Sequence, residues 1–275
     1  MTKLKGLLLT EGMHGMISQV EGLAKALGID FTHHKVELNK FWKLIPPKFT
    51  PVSNFTFNSI TSNDYDIIIS CGRKSVIPSI YLKKNSKKKV HNIHIQDPKV
   101  SLKNFDFIIV PEHDSLIGEN VILSKGSIHY LTKEEITNNH QYLSEKLNKK
   151  KEYLALILGG PNKYYDYNEK NLIKIFDKIK SILESNNLQA IIIPSMRTPK
   201  KIIDFTQNYL GENNVIIKDV DKKAYLSSLS LAKYIVVTCD STSMISEAAL
   251  TGKPIYIAEI PAKSNDYRFR KFRDL

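Results

Sequence analysis

The feature that most constrains the fold of this sequence is the alternation of short, continuous apolar runs with amphipathic stretches along the whole chain. Runs such as Asp66–Ser70 and Tyr153–Leu158 are unbroken, as expected of strands that are covered on both faces. Between such runs, stretches such as Met16–Leu27 and Glu169–Glu184 repeat apolar residues with the period of a helix. This alternation predicts an α/β fold with parallel sheets.

The length of 275 residues favours two domains of ordinary size. A long polar helix is predicted over Lys133–Asn148, and a new strand begins at Tyr153. We therefore predict an N-terminal domain over residues 1–150 and a C-terminal domain over residues 151–275, each with its own parallel sheet.

The chain is basic, with 40 Lys and Arg against 28 Asp and Glu and a net charge of +12. Such a balance suits acidic partners: a phosphorylated small molecule or an anionic membrane surface. The lysine runs Lys83–Lys89 and Lys149–Lys151 lack the interleaved aromatics or glycines of nucleic-acid modules. We expect a phosphorylated small molecule as the partner, peripheral contact with the inner face of the membrane, and no specific nucleic acid.

The number of cysteines and the short lengths of the apolar runs indicate a cytoplasmic protein. The apolar runs are far too short to span a bilayer. Two cysteines cannot form a disulfide framework and are too few for a zinc site without other ligands. We therefore expect a reducing compartment, no bound metal and no cofactor.

Ligands of open parallel sheets bind outside the carboxyl ends of the strands, so the turns there are the place to look for a site. The first turn holds Glu11, Gly12, His14 and Gly15. Glycines permit close approach of a ligand, and His14 is a candidate general base, with Glu11 as a further acid–base group. The alternative is a plain strand-to-helix turn with a surface histidine.

Three later turns of the N-terminal half also carry charged groups. Arg73 follows Cys71-Gly72 and could meet a phosphate or carboxylate, or be half of a solvated basic pair with Lys74. Asp97, Glu112 and His113 follow the next strands. Their spacing matches no metal motif, so we predict no metal site there.

In the C-terminal half, Gly159 and Gly160 follow the first strand, and Arg197 follows the second. A Gly-Gly turn suits a phosphate or ribose close to the backbone, and Arg197 could pair with a phosphate through two hydrogen bonds. The turn matches neither the P-loop nor the Rossmann fingerprint.

The most informative turn follows the strand that ends at Thr238. Asp240, Ser241, Thr242 and Ser243 open a helix, and their hydroxyls with its free amides would form a diphosphate site. Glu247 lies one helical turn after Ser243, on the same face, where its carboxylate could accept hydrogen bonds from ribose hydroxyls. The alternative is a capping box in an ordinary helix–strand unit.

Read together, these segments resemble the mitochondrial fission "elongated mitochondria" (ELM) family, which has bacterial members. The combination of Gln96-Asp97-Pro98 with Pro111–Asp114 and the later Asp240–Pro254 segment is the most specific part. The other matching segments are Gly12–Gly28, Cys71–Ser75, Leu158–Pro161, Arg197–Pro199 and Arg268–Phe272.

The resemblance implies a GT-B-like fold, that is, two Rossmann-like domains facing a central cleft with the nucleotide on the C-terminal domain. The implied nucleotide site comprises Gly159, Gly160, Arg197, Asp240, Ser241, Thr242, Ser243 and Glu247. On the acceptor side stand Gly12, Gly15, Arg73, Glu112 and His113, with His14 as base and Asp97 or Glu11 as further catalytic candidates.

The function hypothesis is a metal-independent glycosyltransferase with a nucleoside-diphosphate sugar as co-substrate. Helix amides and cations can stabilise a leaving diphosphate without a metal ion. Two alternatives stay open. One is a non-catalytic adaptor that binds a protein or an anionic membrane, and the other is a nucleotide-sugar epimerase.

Overall fold

A computed structural model describes residues 3–60 and 64–274. The chain divides into two compact units, one over residues 1–130 and the other over residues 131–274. Each unit contains one parallel sheet with helices, which confirms the predicted α/β fold class.

The sheet of the first unit has six strands in the order β2-β1-β3-β4-β5-β6, all paired in parallel. The strands are β1 (Lys5–Thr10), β2 (Asp30–Lys35), β3 (Ile67–Cys71), β4 (His91–Ile95), β5 (Phe107–Pro111) and β6 (Val121–Ser124), and the helices are α1 (His14–Ala26) and α2 (Val76–Lys84). From β1 the chain continues to one side through β2 and to the other through β3. The strand order therefore reverses between β1 and β3.

Strand β1 shows why this sheet is covered on both faces. Leu8 packs into a cluster with Val20 of α1, whereas Leu7 and Leu9 pack into a cluster on the opposite face with Tyr65. Successive side chains of a strand point to opposite faces, so an unbroken apolar run satisfies both clusters.

Strand β2 is the one strand of this sheet that the apolar runs do not predict. Its sequence is DFTHHK, and none of its residues is fully buried. It lies at the edge of the sheet, where half of the ladder groups face away from other strands. His33 nevertheless fixes it to β1, with its Nε2 atom 2.8 Å from Thr10 Oγ1.

The sheet of the second unit has five parallel strands in the order β11-β10-β7-β8-β9. The strands are β7 (Glu152–Leu158), β8 (Leu188–Pro194), β9 (Val215–Ile216), β10 (Tyr234–Thr238) and β11 (Ile255–Ala258), and the helices are α3 (Lys133–Asn138), α4 (Glu169–Ser185), α5 (Lys200–Leu210), α6 (Lys222–Leu231), α7 (Thr242–Ala249) and α8 (Tyr267–Arg273). Here the strand order reverses between β7 and β10.

Residues 131–147 belong to the second unit, so the division lies earlier in the chain than the expected boundary at residue 150. The predicted long helix over Lys133–Asn148 is α3 followed by two short 3₁₀ turns. Leu143 and Leu147 pack with Ile191 and Ile193 of β8. Together with α6, these two leucines cover part of one face of the second sheet, a contact that the polar composition of the segment did not indicate.

Among the described residues, none of the helices combines the length and the apolar character that crossing a membrane requires.

Candidate functional site

In the second unit, the two turns at the point where the strand order reverses are joined directly. Gly160 N donates to Asp240 Oδ2 at 3.2 Å, and Gly159 N donates to Thr238 Oγ1 at 2.8 Å. A Cβ atom on Gly159 would lie 2.2 Å from the Asp240 carboxylate oxygens. One on Gly160 would lie 2.1 Å from the carbonyl oxygen of Arg197. Close packing between turns therefore requires both glycines.

Asp240 lies at the centre of this junction, and its side chain is fully buried. Its carboxylate accepts hydrogen bonds from Arg197 Nη2 at 2.7 Å and from Thr238 Oγ1 at 2.8 Å, as well as from the Tyr167 hydroxyl. Arg197 Nη1 also donates to Gly160 O at 3.1 Å. The buried Asp240 thus holds the turns together from the interior of the unit, while the side chain of Arg197 is 38% exposed.

Tyr167 is a member of the site that the sequence did not reveal. Besides donating to Asp240, its hydroxyl oxygen lies 2.7 Å from Thr238 Oγ1. Burial, together with the Asp240 carboxylate, raises the pKa of the Tyr167 hydroxyl, so it serves as a donor. A single tyrosine in a polar loop carries no spacing signal that could have identified it.

Helix α7 begins beside this junction, immediately after Asp240 and Ser241. The Ser241 hydroxyl accepts from Met244 N at 3.4 Å and so caps the helix. Thr242 and Ser243 lie in the first turn and are partly exposed. First-turn amides have no partner within their own helix and carry a partial positive charge, which makes such a turn suitable for an anion.

Glu247 lies one turn along α7 from Ser243 and is partly buried. Tyr225 on α6 donates its hydroxyl to Glu247 Oε2 at 2.9 Å. Burial raises the pKa of Glu247, and the Tyr225 hydrogen bond opposes that rise. The bond fixes one carboxylate oxygen and with it the orientation of the other. Tyr225, like Tyr167, carried no signal in the sequence.

The first unit repeats the arrangement where its own strand order reverses. Glu11, after β1, accepts from Lys74 N at 3.2 Å and forms an ion pair of 2.6 Å with Lys74 Nζ. Gly72 has a φ of +92°, and a Cβ there would lie 2.7 Å from Met16 Sδ. Gly12 has a φ of +84°. In the structure, Glu11 therefore has Lys74 as a structural partner. The positive φ values of Gly12 and Gly72 explain why glycine occupies both positions.

His14, the predicted base, is exposed at the start of α1, with Nε2 3.2 Å from the Tyr130 hydroxyl. Gly15 follows it within the helix and accepts a hydrogen bond from Gln19 Nε2 at 3.1 Å. Arg73 is exposed and donates to the carbonyl oxygen of Lys43. His14 therefore has the accessibility that a base needs.

Asp97, Glu112 and His113 follow β4 and β5. Asp97 accepts from Lys99 N at 2.9 Å and pairs with the Lys99 ammonium. Burial alone would raise the pKa of Asp97, but the bonds from Lys99 outweigh it and hold that pKa below its ordinary value. Glu112 is partly exposed, whereas the side chain of His113 is almost fully buried. Within residues 3–60 and 64–274, no three His, Cys, Asp or Glu side chains group as metal ligands would.

The fold is similar to that of solved nucleotide-sugar enzymes. UDP-GlcNAc 2-epimerase from Methanocaldococcus jannaschii matches 100% of this chain and 92% of its own, with 15% identity and a TM-score of 0.55. The Neisseria meningitidis UDP-GlcNAc 2-epimerase bound to UDP-GlcNAc matches 93% of this chain and 82% of its own, with 10% identity and a TM-score of 0.51. At such identities the likeness shows a fold, which is GT-B-like with two Rossmann-like parallel-sheet units.

Two curated relatives align with most of the chain. The "Uncharacterized protein RP120" of Rickettsia prowazekii (strain Madrid E) is 31% identical over 227 residues, 70% of this chain and 64% of that protein. "Mitochondrial fission protein ELM1" of Arabidopsis thaliana is 24% identical over 217 residues, 70% of this chain and 51% of that protein. The chain spans less than two thirds of the length of either relative.

The family described as Mitochondrial fission ELM1 matches residues 14–275. The match includes both units and begins at His14. It confirms the resemblance seen in the Gln96-Asp97-Pro98 and Asp240–Pro254 segments: this chain belongs to the Mitochondrial fission ELM1 family.

Proposed function

We propose that the second unit binds the nucleoside-diphosphate part of a sugar nucleotide and that the chain is a metal-independent glycosyltransferase. One observation carries this proposal. The first turn of α7, rich in hydroxyls, begins where the strand order of the second sheet reverses, and it lies one turn before a partly buried, oriented carboxylate. Ligands of open α/β sheets bind at such a point.

The diphosphate would bind at the start of α7. Amides of the first turn and the hydroxyls of Thr242 and Ser243 would donate hydrogen bonds to an anion bound there. Arg197 adds a guanidinium that is still 38% exposed, although Asp240 offsets part of its charge. The helix start is therefore the principal diphosphate site, and Arg197 contributes from its rim.

The ribose would bind at Glu247. A carboxylate held by Tyr225 on one oxygen can accept hydrogen bonds from a vicinal diol on the other. Glu247 lies four residues after Ser243 on α7, a rise of about 6 Å, so a ribose bound at Glu247 would lie close to a phosphate bound at the helix start.

Transfer requires stabilisation of the leaving diphosphate and a base for the acceptor. Preorganised amides and a cation supply the first without a metal ion. We assign the second role to the exposed His14, with Asp97 as the alternative. A cytoplasmic location is part of the proposal, and the two buried free thiols, Cys71 and Cys239, suit a reducing compartment.

Titration calorimetry with UDP and UDP-GlcNAc at low salt tests the binding step. These ligands are chosen because the similar folds include enzymes named for UDP-GlcNAc. We expect binding that Glu247→Gln weakens at least tenfold, about 1.4 kcal/mol. The matched control Glu212→Gln removes an exposed carboxylate of the same unit and should leave binding unchanged.

If neither UDP nor UDP-GlcNAc binds, the proposal is overturned and the alternative of a non-catalytic adaptor is favoured. If UDP and UDP-GlcNAc do bind, mass spectrometry of the reaction products distinguishes two reactions that would use the same donor site. Sugar attached to an acceptor supports transfer, whereas an isomer of the donor sugar supports the epimerase. Loss of turnover in His14→Ala with unchanged UDP affinity would support His14 as the base.

A further inference from the structure

Large apolar side chains are concentrated at the surface of the first unit between β2 and β3. Leu44 is 81% exposed, Phe49 70%, Phe41 65% and Phe55 57%. We call residues 40–55 the lysine–aromatic segment. Exposed apolar side chains concentrated in this way mark a surface that contacts something other than water.

The segment is held in place rather than loosely attached. At its base, Leu38 and Phe57 form an antiparallel bridge and are both buried, and Asn39 N donates to Thr56 O at 3.0 Å. Within it, Thr50 Oγ1 donates to Pro46 O at 3.1 Å. The fold therefore presents these apolar side chains in a defined arrangement.

Trp42 connects the exposed side chains to the core. Its ring packs against the buried cluster that includes Leu38 and Phe57. It also contacts two exposed rings, with its centroid 4.9 Å from that of Phe41 and 6.0 Å from that of Phe55. The apolar surface thus extends from the core outward through Trp42.

The charge of the segment has a single sign. Residues 38–63 contain no Asp or Glu, whereas Lys40, Lys43 and Lys48 lie in the segment, and all three are exposed. Each of these lysines directly precedes an exposed apolar residue, namely Phe41, Leu44 and Phe49.

We propose that the lysine–aromatic segment docks the chain on a lipid bilayer that carries anionic headgroups. Aromatic rings and leucine enter the boundary between headgroups and acyl chains, while flexible lysines reach back to the phosphates. A bilayer offers an anionic layer directly beside an apolar one, and the segment places exposed lysines directly beside exposed apolar residues. An acidic protein surface matches the charge but supplies no apolar layer beneath it.

Trp42 is the single tryptophan of the sequence, so intrinsic fluorescence reports on this segment. The full chain is titrated with vesicles of phosphatidylcholine alone and of phosphatidylcholine with phosphatidylglycerol. We expect a blue shift of the emission and co-sedimentation with the anionic vesicles only, both weakened by salt.

Two triple variants test the two halves of the proposal. Phe41→Ser with Leu44→Ser and Phe49→Ser removes the apolar contacts, and Lys40→Gln with Lys43→Gln and Lys48→Gln removes the charge. Each should weaken binding to anionic vesicles at least tenfold. The control changes Lys84, Lys87 and Lys89 to Gln, which removes the same charge from another exposed part of the unit and should reduce binding less than threefold.

Unchanged binding of either segment variant, or an equal loss in the control, would overturn the proposal. The proposal would also be overturned if the wild-type chain did not bind anionic vesicles, including the case in which it binds an acidic protein instead. UDP titration of the same variants keeps this proposal separate from the nucleotide site. Because the nucleotide site belongs to the other unit, folding of the variants is checked by far-UV circular dichroism and thermal unfolding, and an unchanged unfolding transition in a variant that no longer binds vesicles shows that the loss is not one of folding.

Discussion

Asp240 and Arg197 are bound to each other, with Arg197 Nη2 2.7 Å from Asp240 Oδ2, although both were predicted to contact a nucleotide. The carboxylate is fully buried, and the guanidinium is partly exposed. Asp240 therefore shapes the strand-end turns from inside the protein, and only Arg197 of this pair is accessible to a ligand.

Asp240→Asn should lower the free energy of unfolding by about 3 kcal/mol, the low end expected for breaking a buried ion pair, because Arg197 retains contact with water. Urea denaturation measures the change. Asp219→Asn, at an exposed carboxylate of the same unit, should stay within about 0.5 kcal/mol of the wild type. Equal effects of the two substitutions would contradict the role given to Asp240.

Gly160→Ala should destabilise the chain by about 3 kcal/mol, because its Cβ would lie 2.1 Å from the backbone oxygen of Arg197 and the turns would have to separate. Gly28→Ala provides the comparison. Gly28 has a φ of +65° and no atom within 4 Å of its Cβ position, so only conformational strain of about 1 kcal/mol applies. Thermal unfolding of the two variants compares the cost of a steric clash with the cost of backbone strain. A smaller loss of stability in Gly160→Ala than in Gly28→Ala would show that the turns can separate at little cost.

Glu247 should make stability depend on pH in the acid range. Its pKa lies above the ordinary value of 4.5 because of burial, so between these two values the folded chain holds a proton that the unfolded chain has released. This contribution to the free energy of unfolding is present at low pH and is lost as the pH rises through the raised pKa. Urea denaturation across this interval should show the loss in the wild type and in Glu212→Gln. It should be absent in Glu247→Gln, and a persisting slope there would assign it to another group.

His94 should act in the opposite direction. Burial lowers its pKa from 6.5 to about 3, and its Nδ1 atom lies 2.8 Å from Ser70 Oγ. Between these pKa values only the unfolded chain is protonated, so stability falls as the pH drops below 6.5, by up to about 1.4 kcal/mol per pH unit.

Urea denaturation across this pH range compares the wild type with His94→Asn. The variant should lose this slope, whereas His91→Asn, at an exposed histidine of the same strand, should retain it. The slope is compared rather than the absolute stability, because His94→Asn also leaves a cavity. A slope that His94→Asn leaves unchanged would mean that His94 is protonated in the folded chain.

The sheets were predictable because strands buried on both faces read as unbroken apolar runs, as β3 and β8 do. Strand β2 was not, since an edge strand with the sequence DFTHHK needs no such run. Residues 133–148 were predicted to form one polar helix, because the contacts of Leu143 and Leu147 with β8 depend on tertiary structure.

The turns that form the candidate site were predictable from the ends of the predicted strands, whereas the partners within them were not. Gly159-Gly160 and the Asp240–Ser243 turn follow strands that read clearly in the sequence, so their position at strand ends could be inferred. Tyr167 and Tyr225 reach the site from a loop and another helix, and no local pattern marks a hydroxyl that contacts residues about 70 and 22 positions away.

The support that residues 131–147 give to β8 has a consequence for exchanging parts between family members. A chimera joined at residue 150 would pair one parent's Leu143 and Leu147 with the other parent's Ile191 and Ile193, across a buried apolar cluster that the two parents need not fill alike. A junction between Tyr130 and Leu131 would transfer the sheet with its own covering segment.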